Sequence, residues 1–335
     1  MRVACFSTKN WVRDSFEKAN EDGAHDITFL EAGLDGTTVS LSNGHRAVCV
    51  FVNDVVDAEV LQGLADRGVT CIALRCAGFN NVDVQKAYEL GITVVRVPAY
   101  SPHAVAEHAL GMMLALNRRY HRAFNRIREQ NFSLEGLLGF DVHGKTIGVI
   151  GTGKIGRVFC ELIRGFGCRI LAHDKYPDGE LEEAGVEYVA VQSLYEESDI
   201  ISLHCPLTHE THHMINEAAI GSMKDAVMIL NTSRGALIDT GAVIDGLKSG
   251  RIGYLGLDVY EEEEDLFFED LSDQVIQDDT FVRLQTFPNV LITAHQAFFT
   301  REAINNIAQV TLGNLTEVEA GEDPSNLVSP DMVAS

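Results

Sequence analysis

Six residues near the middle of the chain have the spacing of a phosphate-binding turn. Gly151, Gly153 and Gly156 form a GxGxxG pattern between a strand-like segment, KTIGVI, and a helix-like segment, RVFCELIRGF. The first glycine permits a tight turn, the second lets backbone approach a pyrophosphate, and the third lets helix and strand pack closely. The helix start offers free N–H groups and a positive dipole end to phosphates. The pattern alone is common by chance, but this context predicts a dinucleotide site.

A carboxylate follows at the place where ribose recognition needs one. Asp174 ends the next predicted strand, 18 residues after Gly156. A carboxylate there can accept hydrogen bonds from both ribose hydroxyls of an adenosine, and it repels a 2′-phosphate. The sequence therefore predicts NAD rather than NADP as the cofactor.

Two more candidates lie at predicted strand ends, where a doubly wound sheet opens its ligand crevice. Arg234 follows the strand AVMIL, and its guanidinium could bind a carboxylate through two parallel hydrogen bonds. His295 follows the strand NVLITA and can exchange a proton near neutral pH. Taken singly, each is more often structural. With a nicotinamide dinucleotide, the two fit reduction of an α-keto acid, in which arginine polarises the carbonyl and histidine supplies the proton.

An acidic partner for the histidine has four candidates, because residues 261–264 are all glutamate. Such a run is usually a solvated face or a disordered stretch. A carboxylate beside the imidazole would, however, fix the orientation of the ring and stabilise its protonated form. His204, also at a strand end, is expected to line the cofactor site rather than to do chemistry.

Alternating strand-like and helix-like segments must position these groups. Residues 1–100 contain about five short apolar runs with helices between them, which predicts a parallel sheet covered on both faces. A long helix beginning near Pro102 leads to a second series with six apolar runs, and a helical tail starts at Thr300. Since no Pro- or Ser-rich linker separates the two series, the domain boundary is expected in a helix.

Composition narrows the classes of partner. The chain has 335 residues and a net charge of −23, so it suggests two domains and a surface that repels nucleic acid and anionic membranes. No apolar run approaches the roughly 20 residues that span a bilayer, and no signal sequence opens the chain. Seven scattered cysteines without a CxxC pair are typical of reduced, buried thiols. We expect a cytoplasmic protein with no bound metal.

Taken in order, these motifs resemble the NAD-dependent D-2-hydroxyacid dehydrogenase family. The segments that carry the resemblance are VIGTGKIG, DIISLHCPLT, ILNTSRGALID, GLDVYEEEEDLFFED and FPNVLITAHQAFFT, and it extends over essentially the whole chain. The acidic insert after DVYE, together with VPAYSPHAVAEHAL, points to the branch that acts on D-lactate. The resemblance implies a doubly wound, flavodoxin-like substrate domain (1–100 plus 300–335), a Rossmann NAD-binding domain (101–299) and a cleft between them. It also implies reversible reduction of pyruvate to D-lactate with NADH.

The resemblance assigns residues as well. It implies a catalytic set of Arg234, Glu263 and His295, with Glu263 chosen because the acid partner follows Asp258 by five positions. The neighbours of Glu263 are then expected to be solvated surface acids. The implied cofactor contacts are Gly151, Gly153, Lys154, Ile155, Gly156, Asp174, Cys205, Pro206, Thr211, Thr232, Ser233 and Asp258. The implied substrate contacts are Cys76, Ala77, Gly78, Tyr100, Arg234 and Phe298.

Several alternatives stay open at the level of sequence. One is a dehydrogenase for larger 2-keto acids, and another, of a different class, is a corepressor-like NAD sensor on the same fold. The family habit, and an LFF segment too apolar for a free acidic loop, predict a homodimer or homotetramer. Five arginines between 118 and 128 are either a solvated face with ion pairs between subunits or domains, or an anion site.

Overall fold

The computed structural model describes residues 1–263, 266–268 and 270–332. The chain divides into two compact units. The first comprises Met1–Ser101 and Phe298–Ser335, and the second comprises Pro102–Ala297. Within the described ranges, no helix has the length and apolar character needed to cross a lipid bilayer.

The first unit is a parallel sheet of five strands in the order β2-β1-β3-β4-β5. Its strands are β1 (Arg2–Cys5), β2 (Asp26–Phe29), β3 (Ala47–Val50), β4 (Cys71–Leu74) and β5 (Thr93–Val95). Its helices are α1 (Asn10–Ala19), α2 (Ala58–Asp66), α3 (Val84–Glu89) and α12 (Arg301–Ala320). This strand order is that of the flavodoxin-like fold. The Thr300 hydroxyl caps the terminal helix by accepting a hydrogen bond from the N–H of Ala303, so the helical tail starts where the sequence predicted.

The second unit is a parallel sheet of seven strands in the order β12-β11-β10-β9-β6-β7-β8, which is Rossmann topology with one added strand. Its strands are β6 (Thr146–Ile150), β7 (Arg169–His173), β8 (Glu187–Tyr188), β9 (Ile200–Leu203), β10 (Val227–Asn231), β11 (Ile252–Leu257) and β12 (Val290–Ile292). Its helices are α4 (Pro102–Arg118), α5 (Tyr120–Arg128), α6 (Lys154–Ile163), α7 (Gly179–Glu183), α8 (Val191–Glu197), α9 (Glu217–Ser222), α10 (Thr240–Ser249) and α11 (Asp279–Gln285). The predicted fold class, two doubly wound α/β units, is confirmed.

Burial explains why the sequence forms these layers. The strands β3, β4 and β10 are buried at every position, as expected for strands with helices on both faces. The strand β8 was not predicted, because it is two residues long and carries no apolar run. The candidate polar residues follow the carboxyl ends of strands in the second sheet: Asp174 after β7, Arg234 after β10 and His295 after β12. The sheet therefore positions the candidate site.

Candidate active site

The glycine turn after β6 has the shape that a pyrophosphate requires. Gly151 has a φ of +90°, and a Cβ there would lie 2.6 Å from the backbone N of Cys205. A Cβ on Gly156 would lie 1.9 Å from the carbonyl oxygen of Gly151, so both positions exclude larger residues. A Cβ on Gly153 would meet no atom within 4 Å, and this residue is the N-cap of α6. The turn is therefore closely packed at Gly151 and Gly156 and open at Gly153, next to the helix start at Lys154 and Ile155. These residues fit a dinucleotide phosphate.

Asp174, just after β7, is held by the same turn. Its Oδ2 accepts hydrogen bonds from the backbone N of Thr152 at 2.6 Å and from the Thr152 hydroxyl at 3.2 Å. Its Oδ1 accepts from the backbone N of Tyr176 at 2.8 Å. The Tyr188 hydroxyl on β8 donates to the Thr152 hydroxyl at 2.8 Å. The carboxylate is thus fixed and half-buried, with lone pairs left for ribose hydroxyls.

Other predicted cofactor contacts follow β9 and β10. The Ser233 hydroxyl donates to the carbonyl oxygen of Cys205 at 2.6 Å, which joins the two loops. The Thr211 hydroxyl donates to the carbonyl oxygen of Pro206 at 2.7 Å and so closes the turn after β9. Burial raises the pKa of Cys205 to about 11, so it is a neutral thiol at neutral pH. The buried hydroxyl of Thr232 has no hydrogen-bond partner among the described residues, as expected of a group that serves a ligand.

His204 is half-buried and lies next to the glycine turn, since a Cβ on Gly156 would lie 3.3 Å from the Cβ of His204. Its place in the lining of the cofactor site stays a prediction. Its Nε2 is 2.9 Å from the Ser202 hydroxyl, and its ring lies 4.9 Å from that of Phe159. Burial lowers the pKa of His204 to about 3. A neutral imidazole cannot supply a proton to a substrate, so of the two strand-end histidines only His295 suits that role.

The turn that carries His295 is built around Asp258, which follows β11 and is 1% exposed. The Asp258 carboxylate accepts hydrogen bonds from the backbone N of Gln296 at 2.7 Å and of Ala297 at 2.9 Å. Its carbonyl oxygen accepts from the backbone N of His295 at 2.7 Å, and His295 has a φ of +50°. This left-handed conformation is unfavourable for histidine and persists because the turn is fixed on both sides. Asp258, predicted as a cofactor contact, therefore also positions His295.

Glu263 and His295 lie together. The Nδ1 of His295 is 2.8 Å from Oε1 of Glu263. The other carboxylate oxygen of Glu263 accepts from the backbone N of Tyr260 at 2.8 Å, so the carboxylate is held in place. The His295 side chain is 17% exposed and that of Glu263 is 21% exposed. With Nδ1–H donating to the carboxylate, Nε2 is the nitrogen that can exchange a proton with a substrate.

The other glutamates of the run differ from one another. Glu262 is exposed, as expected of a surface acid. Glu264 lies outside the described residues. The expectation for Glu261 is wrong, because it is half-buried and its carboxylate is 2.5 Å from Nε2 of His213 and accepts from the Thr240 hydroxyl at 2.9 Å. The turn after β11 directs Glu261 and Glu263 inward and Glu262 outward, an alternation that a uniform run of letters cannot reveal.

Arg234 occupies the turn after β10. Its backbone carbonyl accepts from the Asn231 side chain at 2.8 Å, and its guanidinium donates to the carbonyl oxygen of Ser233 at 2.7 Å. The next residue must be glycine, because a Cβ on Gly235 would lie 2.1 Å from the carbonyl of Tyr260. No ion pair joins Arg234 to a carboxylate in the part of the chain that the structure describes. The half-buried cation is thus available for an anionic ligand.

The remaining predicted substrate contacts belong to the first unit. Cys76, Ala77 and Gly78 follow β4, and the carbonyl oxygen of Ala77 accepts from the Arg96 guanidinium at 2.8 Å. The rings of Tyr100 and Phe298 have centroids 6.0 Å apart. Sequence reasoning missed two more aromatic residues.

These two residues are Trp11 and Phe51, whose rings lie 6.1 Å from Phe298 and 6.3 Å from each other. Phe51 directly follows β3, whereas Trp11 lies in the first turn of α1 and is the chain's single tryptophan. The presence of only one tryptophan is the feature of the sequence that could have drawn attention to Trp11. The four rings form an apolar cluster that includes Tyr100 and Phe298, the two predicted aromatic substrate contacts.

The fold and these groups define a class of protein: an NAD-dependent dehydrogenase with an arginine and a histidine–carboxylate pair at its strand ends. Residues 110–297 match the family described as D-isomer specific 2-hydroxyacid dehydrogenase, NAD binding domain. The chain is 56% identical over 329 residues to the D-lactate dehydrogenase of Escherichia coli (strain K12), a match covering 98% of this chain and all of that protein.

Solved structures agree with the sequence match. The apo-structure of the Escherichia coli D-lactate dehydrogenase has a TM-score of 0.90 at 53% identity and covers 98% of this chain and 100% of its own. The pyruvate reductase of Chlamydomonas reinhardtii has a TM-score of 0.93 at 43% identity, over 97% of this chain and 98% of its own. The chain belongs to the D-isomer specific 2-hydroxyacid dehydrogenase family. The resemblance, and the prediction of NAD as cofactor, are confirmed.

Proposed function

We propose that this protein is a D-lactate dehydrogenase, which reduces pyruvate to D-lactate reversibly with NADH. One observation carries the proposal: the Nδ1 of His295 lies 2.8 Å from Glu263. The same unit presents at a strand end the guanidinium of Arg234, which forms no ion pair with the described residues. The names of the Escherichia coli and Chlamydomonas proteins support the choice of substrate.

Each residue has a role in this proposal. Arg234 binds the pyruvate carboxylate and polarises the neighbouring carbonyl. His295 gives the proton on Nε2 to the carbonyl oxygen, and Glu263 stabilises the imidazolium before that transfer. When bound, NADH supplies the hydride that adds to the carbonyl carbon. In the oxidation of D-lactate the same histidine accepts the proton.

The NAD site follows from the same residues. The open side of the Gly151–Gly156 turn and the start of α6 would hold the pyrophosphate, and Asp174 would hold the adenosine ribose. The Thr232 hydroxyl is a candidate for the nicotinamide end. We assign substrate binding to the domain of residues 1–100 and 300–335, with Cys76–Gly78, Tyr100 and Phe298 as contacts, and NAD binding to residues 101–299.

Arg234→Lys tests the proposal. Lysine keeps the charge but loses the planar pair of donors, so kcat/KM for pyruvate should fall by on the order of 10²–10³-fold, as when one key donor to a reacting oxygen is removed. Steady-state assays with NADH measure this. Arg283→Lys, an exposed position in the same unit, is the matched control and should change nothing. An unchanged kcat/KM in Arg234→Lys would remove this residue from the site.

Two alternatives can be separated by assay. Comparing kcat/KM for pyruvate, 2-ketobutyrate, 2-ketoisocaproate and phenylpyruvate tests a dehydrogenase for larger 2-keto acids. The rings of Trp11, Phe51, Tyr100 and Phe298 lie close together, which supports a small substrate. NADH binding without turnover of any of these acids would favour a sensor of NAD.

We also propose a homodimer or homotetramer in the cytoplasm. The segment first put forward as the contact is not exposed, since Phe267 is 3% exposed and packs on Phe281. A different surface supports assembly, because residues 120–138 expose six large apolar side chains. These side chains are Tyr120, Phe124, Ile127, Phe132, Leu134 and Leu138.

A patch of that kind favours contact with a second chain. A sedimentation mass near one chain at micromolar concentration would contradict the proposed assembly. A cytoplasmic location is supported by the seven scattered cysteines, which include no CxxC pair and are typical of reduced thiols.

A further inference from the structure

A group of ligand atoms outside the proposed active site converges in the second unit. His212 and His213 lie in the loop between β9 and α9, and Glu261 lies in the turn after β11. One ligand atom from each of the three lies within 4.8 Å of the others. The two imidazole rings are stacked, with centroids 3.9 Å apart.

Two of the three ligands are held in place. The backbone of His213 is fixed at both ends, since its N–H donates to the carbonyl of Ala236 at 2.8 Å and its carbonyl accepts from Asn216 at 3.0 Å. Glu261 uses one carboxylate oxygen to accept from the Thr240 hydroxyl at 2.9 Å. Its other oxygen points at Nε2 of His213. Such outer contacts orient the ligands of protein metal sites.

The third ligand supplies access and adaptability. His212 is exposed, and rotation of its side chain can bring a ring nitrogen toward the other two ligand atoms. Ligand atoms in a tetrahedral zinc site lie about 2.0–2.2 Å from the ion, so they must approach to about 3.4 Å of one another. An ion would replace the hydrogen bond between His213 and Glu261.

We propose that His212, His213 and Glu261 form a binding site for a divalent cation of the zinc class, with water as a fourth ligand. Two imidazoles and one carboxylate are a donor set that suits Zn²⁺, whereas Mg²⁺ and Ca²⁺ prefer sites made of oxygen atoms. The site is distinct from the His295–Glu263 pair, although Glu261 precedes Glu263 by two residues. No metal was predicted from the sequence, because residues 212 and 261 are far apart in the chain and form no recognisable ligand spacing.

Calorimetric titration of the full-length protein with ZnCl2, without a polyhistidine tag, tests the site. One ion should bind per chain, and MgCl2 should give no heat of binding. His212→Gln and Glu261→Gln should each weaken Zn²⁺ binding at least about tenfold, since loss of even an outer contact costs a metal site 10–100-fold. His209→Gln, an exposed position in the same loop, is the matched control. Because His212 is exposed, its variant should fold normally.

A second measurement separates this site from the catalytic pair. Co²⁺ bound by nitrogen and oxygen ligands absorbs visible light, so its spectrum reports coordination directly. The spectrum should persist in His295→Gln and disappear in His212→Gln. Absence of Zn²⁺ binding by the wild type at millimolar concentration, or binding that survives both His212→Gln and Glu261→Gln, would overturn the proposal. Neither result depends on which 2-keto acid the enzyme reduces.

Discussion

The two parallel sheets use their topological switch points in opposite ways. A switch point is the place in a sheet where the chain, after one strand, continues to the other side. In the first sheet β1 lies between β2 and β3, and in the second β6 lies between β7 and β9. The loops after β1 and β3, and those after β6 and β9, therefore face each other. In the second unit those loops are the glycine turn after β6 and the Cys205 loop after β9, and Gly153 leaves open space. In the first unit the corresponding loops follow β1 and β3, and side chains fill them.

The filling of the first switch point is polar and buried. The Asp54 carboxylate accepts from the Ser7 hydroxyl at 2.7 Å, from the backbone N of Leu34 at 2.7 Å and from that of Phe51 at 2.6 Å. The Arg75 guanidinium donates to the carbonyl oxygens of Phe6 and Ser7, both at 2.8 Å. Asp54 and Arg75 are each 1% exposed. One architecture thus gives a ligand site where glycine leaves space and a structural core where charged side chains occupy it.

The largest expected effect follows from Asp54. Asp54→Ala leaves three buried donors without an acceptor, so the first unit should lose about 3–5 kcal/mol of unfolding free energy, as when one member of a buried charged network is removed. Urea unfolding followed by the fluorescence of Trp11, the single tryptophan, reports on this unit. Asp66→Ala, an exposed acid on α2, should change stability by less than about 0.5 kcal/mol. A loss below that value in Asp54→Ala would mean that the filled switch point is not structural.

Gly153→Ala tests the switch point of the second unit, where open space is expected to hold the cofactor phosphate. The added Cβ meets no protein atom, so the fold should remain, but it enters the space above the turn. NADH affinity should therefore fall at least about tenfold, which corresponds to about 1.4 kcal/mol. Fluorescence titration with NADH measures the change. Gly221→Ala, which also adds a Cβ in open space, should bind NADH normally; equal affinities in the two variants would show that phosphate does not approach Gly153.

A smaller effect is expected at Asp174. Asp174→Ala removes the acceptor for ribose hydroxyls and the charge that repels a 2′-phosphate, so the preference for NADH over NADPH should narrow on the order of tenfold. The kcat/KM values for the two cofactors give this ratio. Asp245→Ala, an exposed acid of the same unit, should leave it unchanged. If the wild type used NADPH as well as NADH, the role of Asp174 would be wrong.

Local pattern sufficed for some features of the site and not for others. The Gly151 turn and Asp174 were predictable because their spacing within one βα unit fixes their geometry. Asp54 and Arg75 could not be foreseen, since Asp54 also accepts from Ser7 and Leu34, and Arg75 donates to Phe6 and Ser7, all in loops after other strands. Glu261 was misjudged for the same reason: its partners, His213 and Thr240, are 48 and 21 residues away. Where a contact joins distant strand ends, only the folded sheet brings the residues together.

The smallest effect at neutral pH is expected for Glu263→Gln, and it concerns a proton rather than a ligand. Glu263 serves two donors, Nδ1–H of His295 and the backbone N–H of Tyr260. A glutamine has one acceptor oxygen, so it can serve only one of them, and it has no charge.

The imidazolium of His295 then lacks its anionic partner and is less stable. Since reduction of pyruvate needs that protonated form, it is lost as the pH rises, and in the variant it should be lost sooner. The alkaline limb of the kcat/KM profile should therefore move to lower pH. Glu262→Gln, at the exposed neighbour, should leave the limb in place. If the alkaline limb stayed in place in Glu263→Gln and moved in Glu262→Gln, the assignment of Glu263 as the acid partner would be wrong.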